Sequence, residues 1–229
     1  AVSMDYLSNG RLILGIGVSG PQVVEGWYGQ PYPRPLARTR EWIQIFRKII
    51  ARQEPVSFDG DHYQLPLDGG TGLGKPLKLM QHPLREHIPV YLGAEGPKNV
   101  AMAAEICDGW IPMFLSPYRM NDQYADAMRA KGPDFEIAAA VPVVIDDDVD
   151  KARSQIKFNV GFYVGGMGAK TFNVHKDHVS RMGFADAAQE IQNLFMSGKR
   201  EQAFAAVPDQ LVDEIALCGP RERIRERLQ

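Results

Sequence analysis

The sequence is poor in features that mark several classes of protein. It has two cysteines in 229 residues, Cys107 and Cys218, whose spacing matches no disulfide framework, metal site or redox motif. Lys and Arg number 26 against 28 Asp and Glu, so no excess of positive charge is present to neutralise a nucleic-acid backbone. No apolar run approaches the ~18–20 residues that span a bilayer. We therefore expect a globular protein of the reducing cytoplasm that binds neither nucleic acid nor membrane.

The five histidines lack the neighbours that a metal site needs. His175 and His178 are three residues apart and can share a helix face, and His82 and His87 flank a loop. No cysteine or set of carboxylates accompanies either pair, whereas a catalytic zinc takes three protein ligands. The sequence therefore predicts no metal site.

Apolar periodicity predicts an α/β protein. Short apolar runs that end in small residues predict parallel strands, and apolar residues spaced i, i+3, i+4 between them predict helices. An Asp59-Gly60 pair predicts a hairpin within 56–65, and the glycines at 165–168 predict a flexible linker. The predicted strands are 11–17, 88–94, 109–114 and 136–145, and the predicted helices are 37–53, 98–107, 117–131, 148–162 and 175–198. This order suits a doubly wound sheet or part of a (β/α)8 barrel, and both bind ligands beyond the carboxyl ends of their strands.

The glycines after the first predicted strand allow two interpretations. Gly15-Ile16-Gly17-Val18-Ser19-Gly20 matches the G-x-G-x-x-G pattern of dinucleotide-binding folds. That pattern requires a helix that starts within the glycines and an acidic residue at the end of the next strand. Proline and glycine residues from Pro21 to Pro35 interrupt a helix here, and Glu41, at the right distance, lies inside the next predicted helix. Glycines that allow a tight exit from the strand are the competing interpretation.

The exit of the second predicted strand offers a site for a phosphate group. It reads Gly93-Ala94-Glu95-Gly96-Pro97-Lys98-Asn99, and its small residues let a ligand approach the backbone. Pro97 suits the first turn of a helix, the free amide groups of that turn can bind a phosphate, and Lys98 adds a positive charge. An ordinary connection between a strand and a helix has the same features, so both interpretations stay open.

Two blocks of the sequence together resemble one family. LSNGRLILGIGVSG at 7–20 is followed by the helix RTREWIQIFRKII and then by IPVYLGAEGPKNVAMAAEICDGWIP at 88–112. In this order and spacing they look like the middle of the luciferase-like flavin and deazaflavin oxidoreductases, in particular the branch that uses coenzyme F420. The likeness runs from Leu7 to about Pro220. It implies a (β/α)8 TIM barrel and hydride transfer between F420 and a small alcohol, carbonyl compound or enone.

The resemblance also implies that part of the barrel lies outside the sequence. The four predicted strands look like strands four to seven, so strands one to three would lie before Ala1 and strand eight after Gln229. We expect residues 1–229 to form a single, incomplete barrel domain with insertions at about 54–87 and 163–210. Members of the family usually pair their subunits through barrel helices, which implies a homodimer.

The resemblance assigns roles to particular residues. Glu25 lies near the acidic proton donor or acceptor of some members, although Pro21 to Val24 departs from their pattern and a solvated loop carboxylate is the alternative. The turn after the second strand matches the one that holds the phosphate-bearing tail of the cofactor, and the exit of the first strand matches a segment that lines it, which replaces the dinucleotide interpretation. The implied cofactor-binding residues are Gly17, Val18, Ser19, Gly93, Ala94, Glu95, Gly96, Pro97 and Lys98. An FMN-dependent monooxygenase and a non-catalytic flavin-binding paralogue or subunit are the alternative functions.

Overall fold

A computed structural model describes residues 1–228, whose Cα positions group into two compact units. The first unit comprises residues 1–94, 99–111 and 130–137, and the second comprises residues 95–98, 112–129 and the described part of 138–229. Among residues 1–228, even the 18-residue helix at Val149–Gly166 lacks the combination of length and apolarity with which a helix crosses a membrane.

A parallel sheet forms the centre of the first unit. The strands of this unit are β1 (Leu14–Gly17), β2 (Phe58–Asp59), β3 (Gln64–Leu65), β4 (Val90–Gly93), β5 (Gly109–Ile111) and β6 (Glu136–Ile137). Strands β2 and β3 form the predicted antiparallel hairpin, and the other four pair in parallel in the order β1-β4-β5-β6. Val90 and Leu92 are completely buried, as expected for a parallel strand that is covered on both faces.

A long amphipathic helix packs against this sheet. Ile43, Phe46 and Ile50 recur at helical spacing and are buried together with Ile88 and Val90. The helices of this unit are α1 (Val2–Leu7), α2 (Pro21–Gly26), α3 (Pro35–Ala51) and α4 (Pro97–Ile106), of which α4 belongs to the unit from Asn99 onwards. Burial of these side chains fixes α3 beside the strand exits at which ligands of α/β folds bind.

The second unit is mainly helical. Its strands β7 (Val143–Ile145) and β8 (Leu217–Gly219) form a parallel pair. Val160, Ile191 and Leu211 are completely buried in one apolar core to which the long helices contribute. The helices are α5 (Met120–Tyr124), α6 (Val149–Gly166), α7 (Val174–Val179), α8 (Ala185–Met196), α9 (Arg200–Ala205), α10 (Asp209–Ile215) and α11 (Arg221–Arg227), and a π-helical segment, Ser180–Phe184, joins α7 to α8.

The prediction of one strand over 136–145 is wrong. Glu136–Ile137 pairs with β5, whereas Val143–Ile145 pairs with β8 in a different sheet. Pro142 has no N–H group to donate to a ladder, and its carbonyl oxygen accepts a hydrogen bond of 2.9 Å from the Leu217 amide where the second pairing begins. A β-like run that is continuous in sequence is therefore divided between two sheets.

The chain also contains a short parallel strand that the sequence analysis did not predict. Strand β8 lies within the chain and pairs in parallel with β7. Its three residues, Leu217, Cys218 and Gly219, are all buried. A strand this short shows neither an alternating pattern nor an apolar run of useful length, so no sequence signal marks it.

The structure corrects one helix prediction and one loop prediction. The predicted helix 117–131 is α-helical only over Met120–Tyr124, and farther along the Arg129 amide bonds to the Asp126 carbonyl, three residues back rather than four. The segment between β1 and α3, interpreted as an interrupted loop, contains the short helix α2, which starts at Pro21. Proline suits that first helical position because the amide it lacks has no partner there.

The prediction of a flexible linker at 165–168 is wrong for Gly165 and Gly166. Helix α6 continues through Gly166, and a Cβ atom added at Gly165 or Gly166 would lie 2.6 or 2.7 Å from Phe195 of α8. These glycines therefore allow two helices to pack closely instead of loosening the chain.

We expect Gly165→Val to lower the free energy of unfolding by about 2 kcal/mol, because the added side chain must displace Phe195. Gly132→Val is the matched control, since no atom lies within 4 Å of a Cβ added there. Urea denaturation of both variants measures the effect. Equal stabilities would restore the linker interpretation.

Asp213 is the centre of an ionic cluster in the second unit. Its Oδ2 atom accepts hydrogen bonds from Arg153 at 2.6 Å and from Arg223 at 3.0 Å. Burial alone would raise the pKa of Asp213, but the two guanidinium groups outweigh it and hold the pKa below its usual range. The ionised carboxylate therefore stabilises the fold at neutral pH.

The sign of this pKa shift predicts an acid-sensitive contribution. It is fully present above the ordinary Asp pKa of 3.8 and is lost as the pH falls through the lowered pKa of the folded state. We expect Asp213→Asn to cost about 1–2 kcal/mol at pH 7, since solvent screens part of the interaction, and to cost less in acid. The exposed pair Arg129–Asp126 provides the control, Asp126→Asn, which is expected to change stability within error. Chemical denaturation across pH measures both, and a pH-independent loss would contradict the prediction.

Candidate functional site

The register of the parallel sheet brings two of the predicted cofactor-binding segments side by side. Gly17 at the end of β1 lies opposite Gly93 at the end of β4. Both carboxyl ends therefore meet at one edge of the sheet, where open α/β folds bind ligands. Val18 and Ser19 follow β1, and Ala94 follows β4.

A cavity of about 510 Å³ lies at the exit of β1 in the first unit. The predicted residues Gly17, Val18 and Ser19 all contribute to its lining. Ser19 has a φ of 56°, and its carbonyl oxygen accepts a hydrogen bond of 2.8 Å from the Tyr32 hydroxyl group. The lining also includes four aromatic side chains and one cation, which are Tyr28, Tyr32, Trp42, Tyr63 and Arg38. Aromatic walls with a few polar groups are typical of small-molecule sites.

Glu25 is not part of that lining. Val24 and Tyr28, four residues apart, line the cavity, while the side chain of Glu25 is exposed to solvent. Trp27 is 82% exposed and is also absent from the lining. The structure therefore does not bring Glu25 together with Gly17, Val18 and Ser19.

The turn after β4 has open backbone groups and an unpaired cation. Helix α4 begins at Pro97, so the amides of Lys98 and Asn99 in its first turn have no carbonyl partner inside the helix. The Lys98 side chain is exposed and makes no salt bridge with residues 1–228. No atom lies within 4 Å of a Cβ added at Gly96. Free amides, a positive charge and open space fit a phosphate-bearing group.

The start of this turn is fixed by a buried side chain. Trp110 of β5 is completely buried, and its Nε1 atom donates a hydrogen bond of 2.8 Å to the carbonyl oxygen of Ala94. Ala94 itself is 6% exposed. Asn99 is also nearly buried, and its Oδ1 atom accepts no hydrogen bond from the described residues. The predicted residues of this turn thus divide into a buried anchor at Ala94 and an open part from Gly96 to Lys98.

Glu95 has surroundings that the sequence did not predict. Its side chain is 11% exposed, and Oε1 lies 2.7 Å from Nδ1 of His175, within the second unit. Its carbonyl oxygen accepts hydrogen bonds from Tyr124 at 3.0 Å and from Arg181 at 3.2 Å. From their spacing, His175 and His178 were considered only as possible metal ligands. The contact between His175 and Glu95 could not be predicted, because residues 80 positions apart leave no local pattern in the sequence.

A second histidine lies in the same part of the second unit. His178 is 2% exposed and contacts the Tyr124 hydroxyl group at 3.2 Å and the Phe114 carbonyl oxygen at 3.3 Å. Burial lowers the pKa of His178 and raises the pKa of Tyr124 to about 12, so both groups are neutral at pH 7. Within residues 1–228, no group of three or more His, Cys, Asp or Glu side chains is arranged to hold a metal ion.

The sequence has close relatives. A protein of Mycobacterium tuberculosis that is provisionally named a coenzyme F420-dependent oxidoreductase is 51% identical, covering 100% of this chain and 69% of that protein. The 5,10-methylenetetrahydromethanopterin reductase of Archaeoglobus fulgidus is 28% identical, covering 99% of this chain and 65% of that protein. The chain thus spans about two thirds of the length of these relatives.

Solved structures share its fold. An F420-dependent secondary alcohol dehydrogenase in complex with an F420–acetone adduct matches with a TM-score of 0.71 at 17% identity, over 99% of this chain and 62% of that one. The coenzyme F420-dependent tetrahydromethanopterin reductase of Methanopyrus kandleri matches with a TM-score of 0.63 at 20% identity, over 99% and 67%. At these identities the likeness concerns the α/β fold alone.

The resemblance of the two sequence blocks is confirmed at the level of the family. The sequence model described as luciferase-like monooxygenase matches residues 1–229. Together with the relative that is 51% identical over the whole chain, this match shows that the chain belongs to the luciferase-like monooxygenase family.

Proposed function

We propose that the chain is part of an F420-dependent oxidoreductase and binds this cofactor through the turn after β4. The observation that carries the proposal is the 51% identity, over the whole chain, to the mycobacterial protein named for F420. The geometry of the turn supports it, because first-turn amides and a Lys98 that makes no salt bridge with residues 1–228 suit a phosphate-bearing tail.

The residues of this chain would hold and orient the cofactor. A bound deazaflavin supplies a ring carbon that accepts or donates a hydride. The amides of Lys98 and Asn99 and the Lys98 ammonium group would bind the phosphate, and Gly96 would leave room for it. Gly17, Val18 and Ser19 line the cavity at the exit of β1, whose aromatic walls suit a small organic substrate such as an alcohol, a ketone or an enone.

Several finer points stay predictions. They are the numbering of the strands within a (β/α)8 barrel, the single domain over 1–229 with insertions at about 54–87 and 163–210, the homodimer and the cytoplasmic location. An FMN-dependent monooxygenase is the second candidate function, which the description of the family favours.

Titration of the full-length protein with F420 and with FMN separates the two candidates. We expect F420 to bind, with quenching of its fluorescence, and FMN to bind much more weakly. Secondary alcohols should then bleach the absorbance of the bound F420. Tight binding of FMN alone would contradict the proposal, and F420 binding without bleaching by any alcohol, ketone or enone would indicate a non-catalytic binding protein.

Two substitutions test the turn itself. Lys98→Ala removes a charge-assisted contact and should raise the dissociation constant of F420 about 10-fold or more. Gly96→Val should also weaken binding while leaving the fold intact, because the new side chain enters open space. The exposed Lys131→Ala and Gly132→Val are the matched controls. Unchanged affinity in both Lys98→Ala and Gly96→Val would remove this turn from the site.

The proton-transfer role of Glu25 stays a prediction. A carboxylate on the exposed face of α2 reaches a substrate only if the substrate extends beyond the cavity lining. If Glu25 handles the proton, Glu25→Gln should lower kcat ~100-fold or more with the F420 dissociation constant unchanged. An unaltered kcat would exclude Glu25 from the reaction.

A further inference from the structure

The cavity at the exit of β1 has one charged residue among the described residues that line it. That residue is Arg38 of α3, and the rest of the lining is aromatic, apolar or neutral and polar. The lining lies entirely between Ile16 and Tyr63, so the whole cavity belongs to the first unit. A guanidinium group stays protonated in proteins. The cavity therefore presents a single positive charge to a ligand.

The contacts of Arg38 orient its charge without neutralising it. Its Nε atom donates a hydrogen bond of 3.2 Å to the Tyr63 hydroxyl group, and Nη1 donates one of 3.3 Å to the Pro31 carbonyl oxygen. The guanidinium carbon lies 5.9 Å from the centre of the Tyr63 ring. Both hydrogen-bond acceptors are neutral, and Arg38 makes no salt bridge with residues 1–228.

The remaining donors of Arg38 match the two oxygen atoms of a carboxylate. A guanidinium group has five N–H donors, and the hydrogen bonds to Tyr63 and Pro31 use two of them. Nη2 makes no hydrogen bond with residues 1–228, and it is not among their buried unpaired atoms, so it is accessible to a ligand. Nη1 and Nη2 together form a fork that binds a carboxylate through two parallel hydrogen bonds.

Arg40, on the same helix, shows the pairing that Arg38 lacks. Its Nη1 and Nη2 atoms donate hydrogen bonds of 2.8 and 2.6 Å to the two carboxylate oxygens of Glu105. The acidic side chain of α3, Glu41, is occupied elsewhere, because it accepts hydrogen bonds from the backbone amides of 61–63. The protein thus supplies a carboxylate to Arg40 and leaves the fork of Arg38 open towards the cavity.

The aromatic side chains of the lining suit a flat apolar body. Trp42 is stacked on Phe46, with ring centres 5.3 Å apart and planes 6° from parallel, and it packs against the apolar core of the first unit. The Tyr32 hydroxyl group is fixed by its hydrogen bond of 2.8 Å to the carbonyl oxygen of Ser19. Rings that are held in place before binding lose little conformational freedom when a ligand packs against them.

We propose that this cavity binds a small carboxylic acid with a flat apolar body and that Arg38 determines this specificity by binding the carboxylate. The proposal rests on the proposed function in that this acid is the alcohol, ketone or enone that exchanges a hydride with F420. A phosphate monoester fits less well, because its charge of about −2 would meet one cation. A neutral ligand would displace water from the guanidinium group without offering a charge in return, which is costly.

A pair of matched ligands tests the preference without turnover. The acid is a benzoate that carries a secondary alcohol in the para position, and the comparison is its methyl ester, which has the same body and no charge. Calorimetry with the full-length, cofactor-free protein measures both. We expect the dissociation constant of the acid to be at least about 10-fold lower than that of the ester, because only the acid makes the charge-assisted contact.

Substitution of Arg38 should abolish this preference. Arg38→Gln should raise the dissociation constant of the acid about 10-fold or more, while that of the ester changes less than about threefold. A residue that only holds the wall of the cavity would affect both ligands alike. Arg40→Gln is the matched control, because Arg40 lies on the same helix outside the lining, and it should keep the wild-type preference.

Arg38→Lys provides a second variant. It keeps the charge but lacks the fork, so we expect its affinity for the acid to lie between those of the wild type and Arg38→Gln. If Arg38→Gln does not fold, which thermal melting reveals, Arg38→Lys and the preference of the wild type carry the test.

Turnover separates this proposal from the proposed function. With F420 and the wild type, kcat/KM for the acid should exceed that for the ester about 10-fold or more, and Arg38→Gln should remove the difference with the dissociation constant of F420 unchanged within about threefold. Binding of the acid that depends on Arg38, in a protein that does not bind F420, would uphold the carboxylate site and contradict the proposed function.

Three results would overturn the proposal. Equal affinities of the wild type for the acid and the ester would exclude a carboxylate site. Parallel losses of affinity for both ligands in Arg38→Gln would show that Arg38 only holds the wall. A loss of F420 affinity in Arg38→Gln, with binding of the acid unchanged, would show that the guanidinium group serves an anion of the cofactor.

Discussion

The parallel register between β1 and β4 is the constraint on which the candidate site depends. It places Gly17 opposite Gly93, so that two separate sequence segments end at the same edge of one sheet. Val90 and Leu92 are completely buried and hold β4 in the core of the first unit beside β1. The cavity at the exit of β1 lies at this edge of the sheet.

Charged side chains are paired around Asp213 but only in part at the turn after β4. Around Asp213, the guanidinium groups of Arg153 and Arg223 donate hydrogen bonds to the carboxylate and hold its pKa below the usual range, so the pairing favours the folded state. Lys98, by contrast, has no carboxylate partner among the described residues, and Glu95 Oε2 receives no hydrogen bond from them. Unsatisfied groups reduce stability, so a protein that keeps them at a strand exit is consistent with a ligand or reaction that uses them.

The sequence predicted the elements with strong local signals. The amphipathic pattern of α3, the glycine-ended run of β4 and the Asp59-Gly60 hairpin all lie within a few residues of their predicted positions. The buried strand β8 and the division of 136–145 could not be predicted, because they depend on which strands meet in space. The reason for the glycines at the end of α6 is also visible only in the structure, because Phe195 of α8 occupies the space that a side chain there would need.

The candidate site shows the same limit. The motif of the turn pointed to Gly96, Pro97 and Lys98, where the structure has the open part of the turn. It gave no indication that Glu95 pairs with His175, since a contact between residues 80 positions apart has no local pattern. Glu25, suggested by the resemblance, lies outside the cavity lining, whereas Val24 of the same helix contributes to it.

The central claim is that the turn from Gly96 to Asn99 binds the phosphate-bearing part of F420. Amide NMR of the ¹⁵N-labelled full-length protein, recorded without and with F420, measures this at the backbone atoms concerned. The account predicts that the amide signals of Gly96, Lys98 and Asn99 shift and that their hydrogen exchange slows when F420 binds. Saturation with F420 that leaves these three amides unchanged while others shift would contradict it.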